Sequence, residues 1–460
     1  MKKVIIAAFI VLAGIYAGSA YMLGGQVEDR YFEALKDYER FGVLSFSNQK
    51  YERGFFSSSA RTLVTVVIPE SSDDGAAEAR NASFVVQHVF RHGPLPDMSR
   101  GFSFRPGLAA VESTVDTSGA QGALFTEIPE LAQSSSVMRI GFGGDVDGEF
   151  KVPAFDKQID GESVIWGGLV ARGTYVPGSG SFRGDMTMPS LSLTSSDGTL
   201  RMDGFSSTFD LVEALPMVFV GQVDAGMSSM NMTRADGDVV SVGDLRFTSN
   251  SSCNGTLVDY AQSVNIGRIV MGGITHGPVV CDMETRNLDA AALSEFQIRF
   301  QQLYRSMPAA DVDMLAEQIA DLYGKLFTKL MAGSPEFRIS RLQVITSMGE
   351  LTGALSIRLD APGEAAALNP LLLLQHVNAS VELAVHEALV KGLMVMSITQ
   401  QQAADANAQD VEAVAQQAYA QQVETLLERN LIVRDGETIK SEASFAQGKL
   451  MVNGQEMPLF

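Results

Sequence analysis

A predominantly β, α+β fold is predicted, an elongated antiparallel sheet built from hairpin repeats with helices attached, and three observations predict it. The chain carries 43 glycines against one tryptophan and two cysteines, a usage that suits many tight turns better than a helical bundle or a disulfide scaffold. From about residue 100 to 285, short alternating runs are separated by Gly, Asp and Ser, the period-two pattern of half-buried strands. Within that stretch a pattern recurs. Met188-Pro-Ser-Leu-Ser-Leu-Thr194 with Asp197-Gly198 is matched 39 positions on by Met227-Ser-Ser-Met-Asn-Met-Thr233 with Asp236-Gly237, and a looser copy, Val152-Pro-Ala-Phe-Asp156 with Asp160-Gly161, precedes both. Asp-Gly supplies a positive φ for a tight turn, so the repeating unit is a β-hairpin.

The 460 residues predict two or three modules. With 46% hydrophobic and 19% charged residues, disorder is excluded. A net charge of -20 repels phosphate backbones, which argues against nucleic acid as a partner. Five segments are expected: an amino-terminal signal anchor or signal peptide over 1–27, a helix and strands over 28–99, the repeat sheet over 100–285, a helical hairpin over 286–333 and an α/β region over 334–460.

Lys2 and Lys3 precede an apolar run from Val4 to Leu23, about the 20 residues a helix needs to cross a bilayer core. Glu28 and Asp29 follow it, so the positive-inside rule exports the rest of the chain. Gly18 and Ala20 satisfy the spacing of a signal-peptidase site, and cleavage after Ala20 competes with retention as an anchor. Tyr31 to Phe41 reads as a short helix, Arg61 to Ile68 and Phe84 to Phe90 as strands, and Glu70 to Asn81 as the loop between them.

In the repeats Leu191 and Leu193 alternate with Ser190, Ser192 and Thr194, and Met230 and Met232 take the same places in the next copy. One face is therefore apolar, either covered by helices or left as a groove for an apolar ligand. Cys253 and Cys281 are expected to pair in an exported chain, a link that contributes about 3 to 4 kcal/mol, the alternative being two buried thiols. Two helices follow, with stripes at Leu293, Phe296, Phe300, Leu303 and Met307 and at Leu315, Ile319, Leu322, Leu326 and Leu330, broken at Pro308 to Asp311. Strands are expected over Phe337–Thr346, Leu351–Leu359 and Ala379–His386, with a short apolar helix over Asn369–His376 before the last. Thr399 to Asn430 reads as one mostly solvated helix with a thin stripe at Ala415, Tyr419, Val423 and Leu426, and closing hairpins turn at Asp435-Gly436 and Asn453-Gly454.

The five histidines (His88, His92, His276, His376, His386) lack metal-ligand spacing; His88 and His92 are four apart in a strand, about 13 Å, too far to share an ion. Asp145-Val-Asp147-Gly148-Glu149 holds only a fragment of a calcium loop. No nucleophile elbow or phosphate loop is present, so no catalytic residue, metal or cofactor is assigned. His92-Gly93-Pro94, repeated as His276-Gly277-Pro278, reads first as a strand stop with a histidine bonded at the sheet end. Arg53 is expected to pair with a carboxylate beside the Gly54 bend.

The lysine-led apolar start, Tyr51-x-Arg53-Gly54-x-Phe56-Ser57-Ser58, His92-Gly93-Pro94 and the closing Gly448-Lys-Leu-Met-Val-Asn453-Gly454 together resemble the YdgA-like family of Gram-negative envelope proteins of unknown function. That resemblance implies an inner-membrane anchor, a periplasmic body and no catalytic residues. More distantly, the plan is similar to AsmA-like envelope proteins, which are associated with phospholipid transport, an analogy of architecture alone. The expected function is a membrane-anchored periplasmic protein whose sheet binds a lipid or an envelope partner in maintaining the cell envelope. The alternative is an assembly factor making protein contacts, with an enzyme third.

Overall fold

The computed structural model describes residues 2–38, 44–71, 77–96, 106–116, 123–159, 161–306, 312–360, 370–402 and 411–458. Side chains of residues 1–16 are outside this description. The chain is predominantly β and its paired strands are antiparallel. It divides into two compact units: Met1–Ser196, Asp203–Phe219 and Glu295–Leu322 form one, and Asp197–Met202, Val220–Ser294 and Tyr323–Phe460 the other.

The first unit opens with α1 (Lys2–Tyr38). One unbroken helix joins the expected anchor to the expected short helix, because Gly24 and Gly25 lower helix propensity without removing a hydrogen bond. Strands β1 (Leu44–Arg53), β2 (Ser57–Ser71), β3 (Ala77–His92), β4 (Ala109–Val115), β5 (Ser135–Ile140) and β6 (Val146–Val152) pair in that order. The expected loop between β2 and β3 is thus mostly strand, its remainder lying outside the described residues. A short helix, α2 (Ala123–Glu127), lies between β4 and β5.

The sheet continues through β7 (Phe155–Ile159), β8 (Glu162–Trp166), β9 (Leu169–Val176) and β10 (Ser181–Ser195). Here β9 pairs with β6, β8 with β7, and β10 with both β9 and β8. The pairs Val152–Leu169 and Phe155–Trp166 keep one register, so β6 with β7 and β8 with β9 make a single long hairpin interrupted at Pro153-Ala154 and Gly167-Gly168. That hairpin is the looser first copy of the repeat. β11 (Gly198–Leu215) follows, and the turn glycines Gly161, Gly198 and Gly237 all have positive φ (88°, 144° and 88°), as their Asp-Gly setting predicts.

In the second unit the order is β12 (Val218–Arg234), β13 (Val239–Asn254), β14 (Leu257–Met271), then β16 (Val279–Asp289), with β15 (Ile274–His276) on β14. Helices α3 (Ala290–Ser306) and α4 (Val312–Ala332), whose span Glu295–Leu322 belongs to the first unit, match the expected pair, and the break at Pro308 to Asp311 lies outside the described residues. β17 (Glu336–Thr346), β18 (Gly349–Leu359) and β19 (Val377–His386) extend the sheet, the short helix α5 (Pro370–Leu373) leading into β19. The expected single helix at 399–430 is instead α6 (Glu387–Gln402) and α7 (Val411–Glu428). The carboxy-terminal helix is mostly solvated, as expected, and of its thin stripe Tyr419 and Val423 are buried with Val385, Leu389 and Ile439. A narrow stripe is enough when a second helix and a sheet close over it. β20 (Val433–Asp435), β21 (Thr438–Ala446), β22 (Lys449–Val452) and β23 (Gln455–Met457) finish the chain as the expected hairpins.

The expected disulfide is absent, and both Cys253 and Cys281 are free. Strand β14 lies between them, with Cys253 opposite Val258 and Cys281 opposite Val264. Six residues of strand separate the two levels, about 20 Å, beyond any disulfide's reach.

Candidate functional site

In α1 the apolar residues Leu23, Val27, Tyr31 and Leu35 recur every fourth position and so share one face. That face packs on Ala60, Phe90, Leu108, Ala109 and Val111. Two polar side chains then fix where along the helix the sheet binds. His92, buried at the end of β3, donates from Nδ1 to the Ala20 carbonyl at 2.9 Å. Its Nε2 accordingly accepts from the Ser58 hydroxyl at 3.1 Å. Arg53, at the end of β1, donates from Nη2 to the Tyr21 carbonyl at 2.7 Å. Its guanidinium lies over the Tyr21 ring, 4.7 Å from the centroid, and Nη1 is 3.7 Å from Glu28, the carboxylate partner expected of it.

Each bonded carbonyl has a glycine one turn later, Gly24 after Ala20 and Gly25 after Tyr21, on the same stripe of the helix. A Cβ on Gly24 would come within 2.7 Å of the His92 ring, and one on Gly25 within 3.2 Å of the Arg53 guanidinium. The missing side chains open a path to the carbonyls, which already accept helical bonds but keep a second lone pair. Burial, its largest cause, lowers the pKa of His92 and favours the neutral ring that this arrangement uses.

The other motif residues converge here. The Tyr51 ring packs on Tyr31 at 5.4 Å and Phe90 at 5.9 Å. Gly54 bends the β1–β2 turn, donating its N–H to Ser57 O at 2.9 Å, and the Phe56 carbonyl accepts from the His92 N–H at 3.1 Å. Gly93 and Pro94 bond the segment before β4, through Leu108 O and the Gly107 N–H. The second motif does different work: Gly277 N–H bonds Ile345 O at 2.7 Å and Pro278 O accepts from Ile345 N–H at 3.1 Å, holding the β15–β16 corner to β17.

Beneath the helix runs a polar chain. Ser113 lies 2.8 Å from His88 Nδ1, His88 Nε2 lies 2.9 Å from Thr62, Thr62 lies 2.8 Å from the Tyr31 hydroxyl, and Tyr31 donates to Asn48 Oδ1 at 3.1 Å. One direction satisfies every donor: Ser113 to His88, His88 to Thr62, Thr62 to Tyr31, Tyr31 to Asn48. Five elements each contribute one residue to it. Desolvation lowers the His88 pKa to about 4, which keeps the ring neutral, and burial raises the Tyr31 phenol. His88 and His92 thus have separate partners. Among the described residues no group of three or more His, Cys, Asp or Glu is placed to hold a metal ion.

The sheet side under α1 continues past the helix as apolar rows. Ile140 is opposite Val146, Val146 opposite Tyr175 and Tyr175 opposite Phe182, while Phe150, Ala171 and Met186 form a parallel row. Phe150, Tyr175 and Phe182 are 39% to 43% exposed, Phe182 stacking on Phe209 at 4.7 Å. The reverse side carries ion pairs, Arg139–Asp147 and Arg172–Glu149. Leu191 and Leu193, named from the sequence, sit opposite Trp166 and Val164 on that reverse side, because the alternation of β10 changes phase after Met188. Met230 and Met232 lie opposite Val242 and Val240 in the second unit. There a further row runs through Phe247, Val264, Cys281, Leu342, Gly353 and Leu383, of which Leu383 is exposed.

Sequence reasoning passed over Gly24, Gly25, Tyr31, Thr62 and Ser113. Its one available signal was the adjacent glycine pair in an otherwise helical pattern, which asks for a packing reason. Among the described residues from 17 onward, where side chains are described, no helix is long and apolar enough to cross a membrane.

A family model described as "Bacterial protein of unknown function (DUF945)" matches residues 1–460. The chain is 20% identical to the Uncharacterized protein YihF of Escherichia coli (strain K12) over 99% of its own length and 97% of that protein's. It is also 20% identical to Protein YdgA of the same strain, over 100% of this chain and 95% of the relative. No solved structure matches.

Proposed function

The chain belongs to the DUF945 family of bacterial proteins, and we propose that it is a membrane-tethered envelope protein whose open apolar sheet side takes up lipid acyl chains. The observation that carries this reading is the exposure of Phe150 in one row and of Tyr175 and Phe182 in the next, the latter continuous through paired strands with the surface α1 covers. Apolar area left open in contiguous rows rather than as scattered residues marks a binding surface. An acyl chain matches it because its exposed members are aromatic, the ion pairs Arg139–Asp147 and Arg172–Glu149 lying on the reverse side.

The tether reading is supported by Lys2, Lys3 and the apolar run that follows, with the body in the periplasm. It is also supported by the bond from His92 to the Ala20 carbonyl, the peptide group a signal peptidase would have to cut. An assembly factor would make its protein contacts through sheet edges and the Gln/Ala-rich helix, and the stripe of that helix packs instead on Val385 and Ile439.

The full chain carrying a photo-crosslinking amino acid at Phe150 or Phe182, irradiated in cells grown on radioactive phosphate, tests the lipid reading. Phospholipid adducts are expected at both positions and not at Thr174, on the reverse side. Adducts at none of the three overturn the acyl-chain assignment.

A further inference from the structure

We propose that Tyr21, Met22, Phe55 and Phe56 form an apolar collar seated in the interfacial layer of the bilayer from which α1 emerges, a proposal that rests on α1 being the membrane tether. These four side chains are 51%, 72%, 50% and 50% exposed, on a chain whose hairpin tips are otherwise mostly Gly, Asp and Asn. Three of them are in contact, Tyr21 and Phe55 with ring centroids 5.4 Å apart and Phe55 and Phe56 4.9 Å, and Met22 follows Tyr21 in the helix. The group lies where the helix leaves the sheet, one side supplied by α1 and the other by the β1–β2 tip that Gly54 bends.

The length of the helix points to lipid as the occupant. The His92 and Arg53 bonds hold the helix to the body from Ala20 onward, which leaves Val4 to Ser19 to cross the membrane. Sixteen helical residues span about 24 Å at ~1.5 Å each, against a hydrocarbon core of about 30 Å. The shortfall of about 6 Å is met if the base of the helix sinks into the bilayer. Tyr is enriched in that layer, and Phe buries its ring at the boundary between headgroups and acyl chains. Arg53 suits the same place, with its charge toward the polar side and its guanidinium over the Tyr21 ring. The collar itself is uncharged, so the net charge of -20 does not oppose its entry as it would oppose a headgroup contact over the wider surface.

The single tryptophan makes the test direct. The full chain carrying Trp166→Phe with Phe55→Trp is reconstituted in vesicles of phosphatidylethanolamine and phosphatidylglycerol containing brominated phosphatidylcholine. The expected result is a blue-shifted emission that loses intensity to bromine. The same chain with Phe142→Trp in place of Phe55→Trp should stay unquenched, since its turn lies against Arg30 through Gly144, ten helical residues or about 15 Å further from the membrane. Flotation of the vesicles separates the two claims. A chain that floats with an unquenched reporter at position 55 overturns the collar and leaves the tether standing; a chain that does not float overturns both. A blue shift without bromine quenching shows the aromatics covered by protein, a second copy or another chain, and overturns the assignment to lipid.

Discussion

Both units lay helices on the apolar side of an antiparallel sheet, and they hold them by different means. In the second unit α6 and α7 cover Val385 and Ile439 with Leu389, Tyr419 and Val423, an apolar cluster, and the ion pair of Glu387 with Arg434 at 2.6 Å joins side chain to side chain without engaging a helix carbonyl. In the first, α1 adds to its apolar face two side chains bonded to helix carbonyls and a five-residue polar chain beneath. Burial is non-directional and tolerates sliding by a turn; a hydrogen bond to one carbonyl beside one glycine does not. A helix that only caps a core needs the first kind of contact. One that must leave the body at a fixed level, as a tether does, is served by the second.

Three experiments bear on that contrast, in order of expected effect. Tyr419→Ala removes a buried ring from the apolar joint and should cost about 3 to 4 kcal/mol, read as lost hydrogen-exchange protection in β19 and β21 with the first unit little changed. An equal loss of protection across both units would show that the joints are not separate.

The second uses pH. His88 titrates near 4 in the folded chain against about 6.5 unfolded, so between those values the unfolded chain binds more protons. The stability it contributes is therefore complete above pH 6.5 and lost as pH falls toward 4, about 3 kcal/mol in all at 1.36 kcal/mol per pKa unit. Trp166 belongs to the first unit, and its fluorescence during urea unfolding should show the loss. A flat profile from pH 6.5 to 4.5 would remove the polar chain from the comparison.

The third is Gly24→Ala. Overpacking against a His92 ring clamped at both nitrogens should cost about 2 kcal/mol in net stability, despite the better helix propensity of alanine. Gly18→Ala, where nothing lies within 4 Å of the new Cβ, should cost nothing. If the two behave alike in thermal unfolding, the glycine pair is not what admits the histidine.

Much of the fold was legible because period-two alternation and Asp-Gly turns are local signals. The long hairpins on Gly161, Gly198 and Gly237 follow from them. The open sheet side was less legible, since Leu191 and Leu193 mark the apolar positions of only half of β10, and the change of phase toward Phe182 and Met186 shows its meaning only when neighbouring strands are in register. The cysteines misled because compartment and count say nothing of the strand that lies between them.

By itself the sequence determined the β-rich class, the hairpin repeat, the apolar amino-terminal run and the full-length family resemblance, all carried by neighbours in the chain. Only the tertiary structure decided what the motif residues are for. His92 meets Ala20 across 72 positions and Arg53 meets Tyr21 across 32, contacts that no local period encodes. They exist because the helix and three strand ends reach one place, and because two glycines leave room there for a ring and a guanidinium.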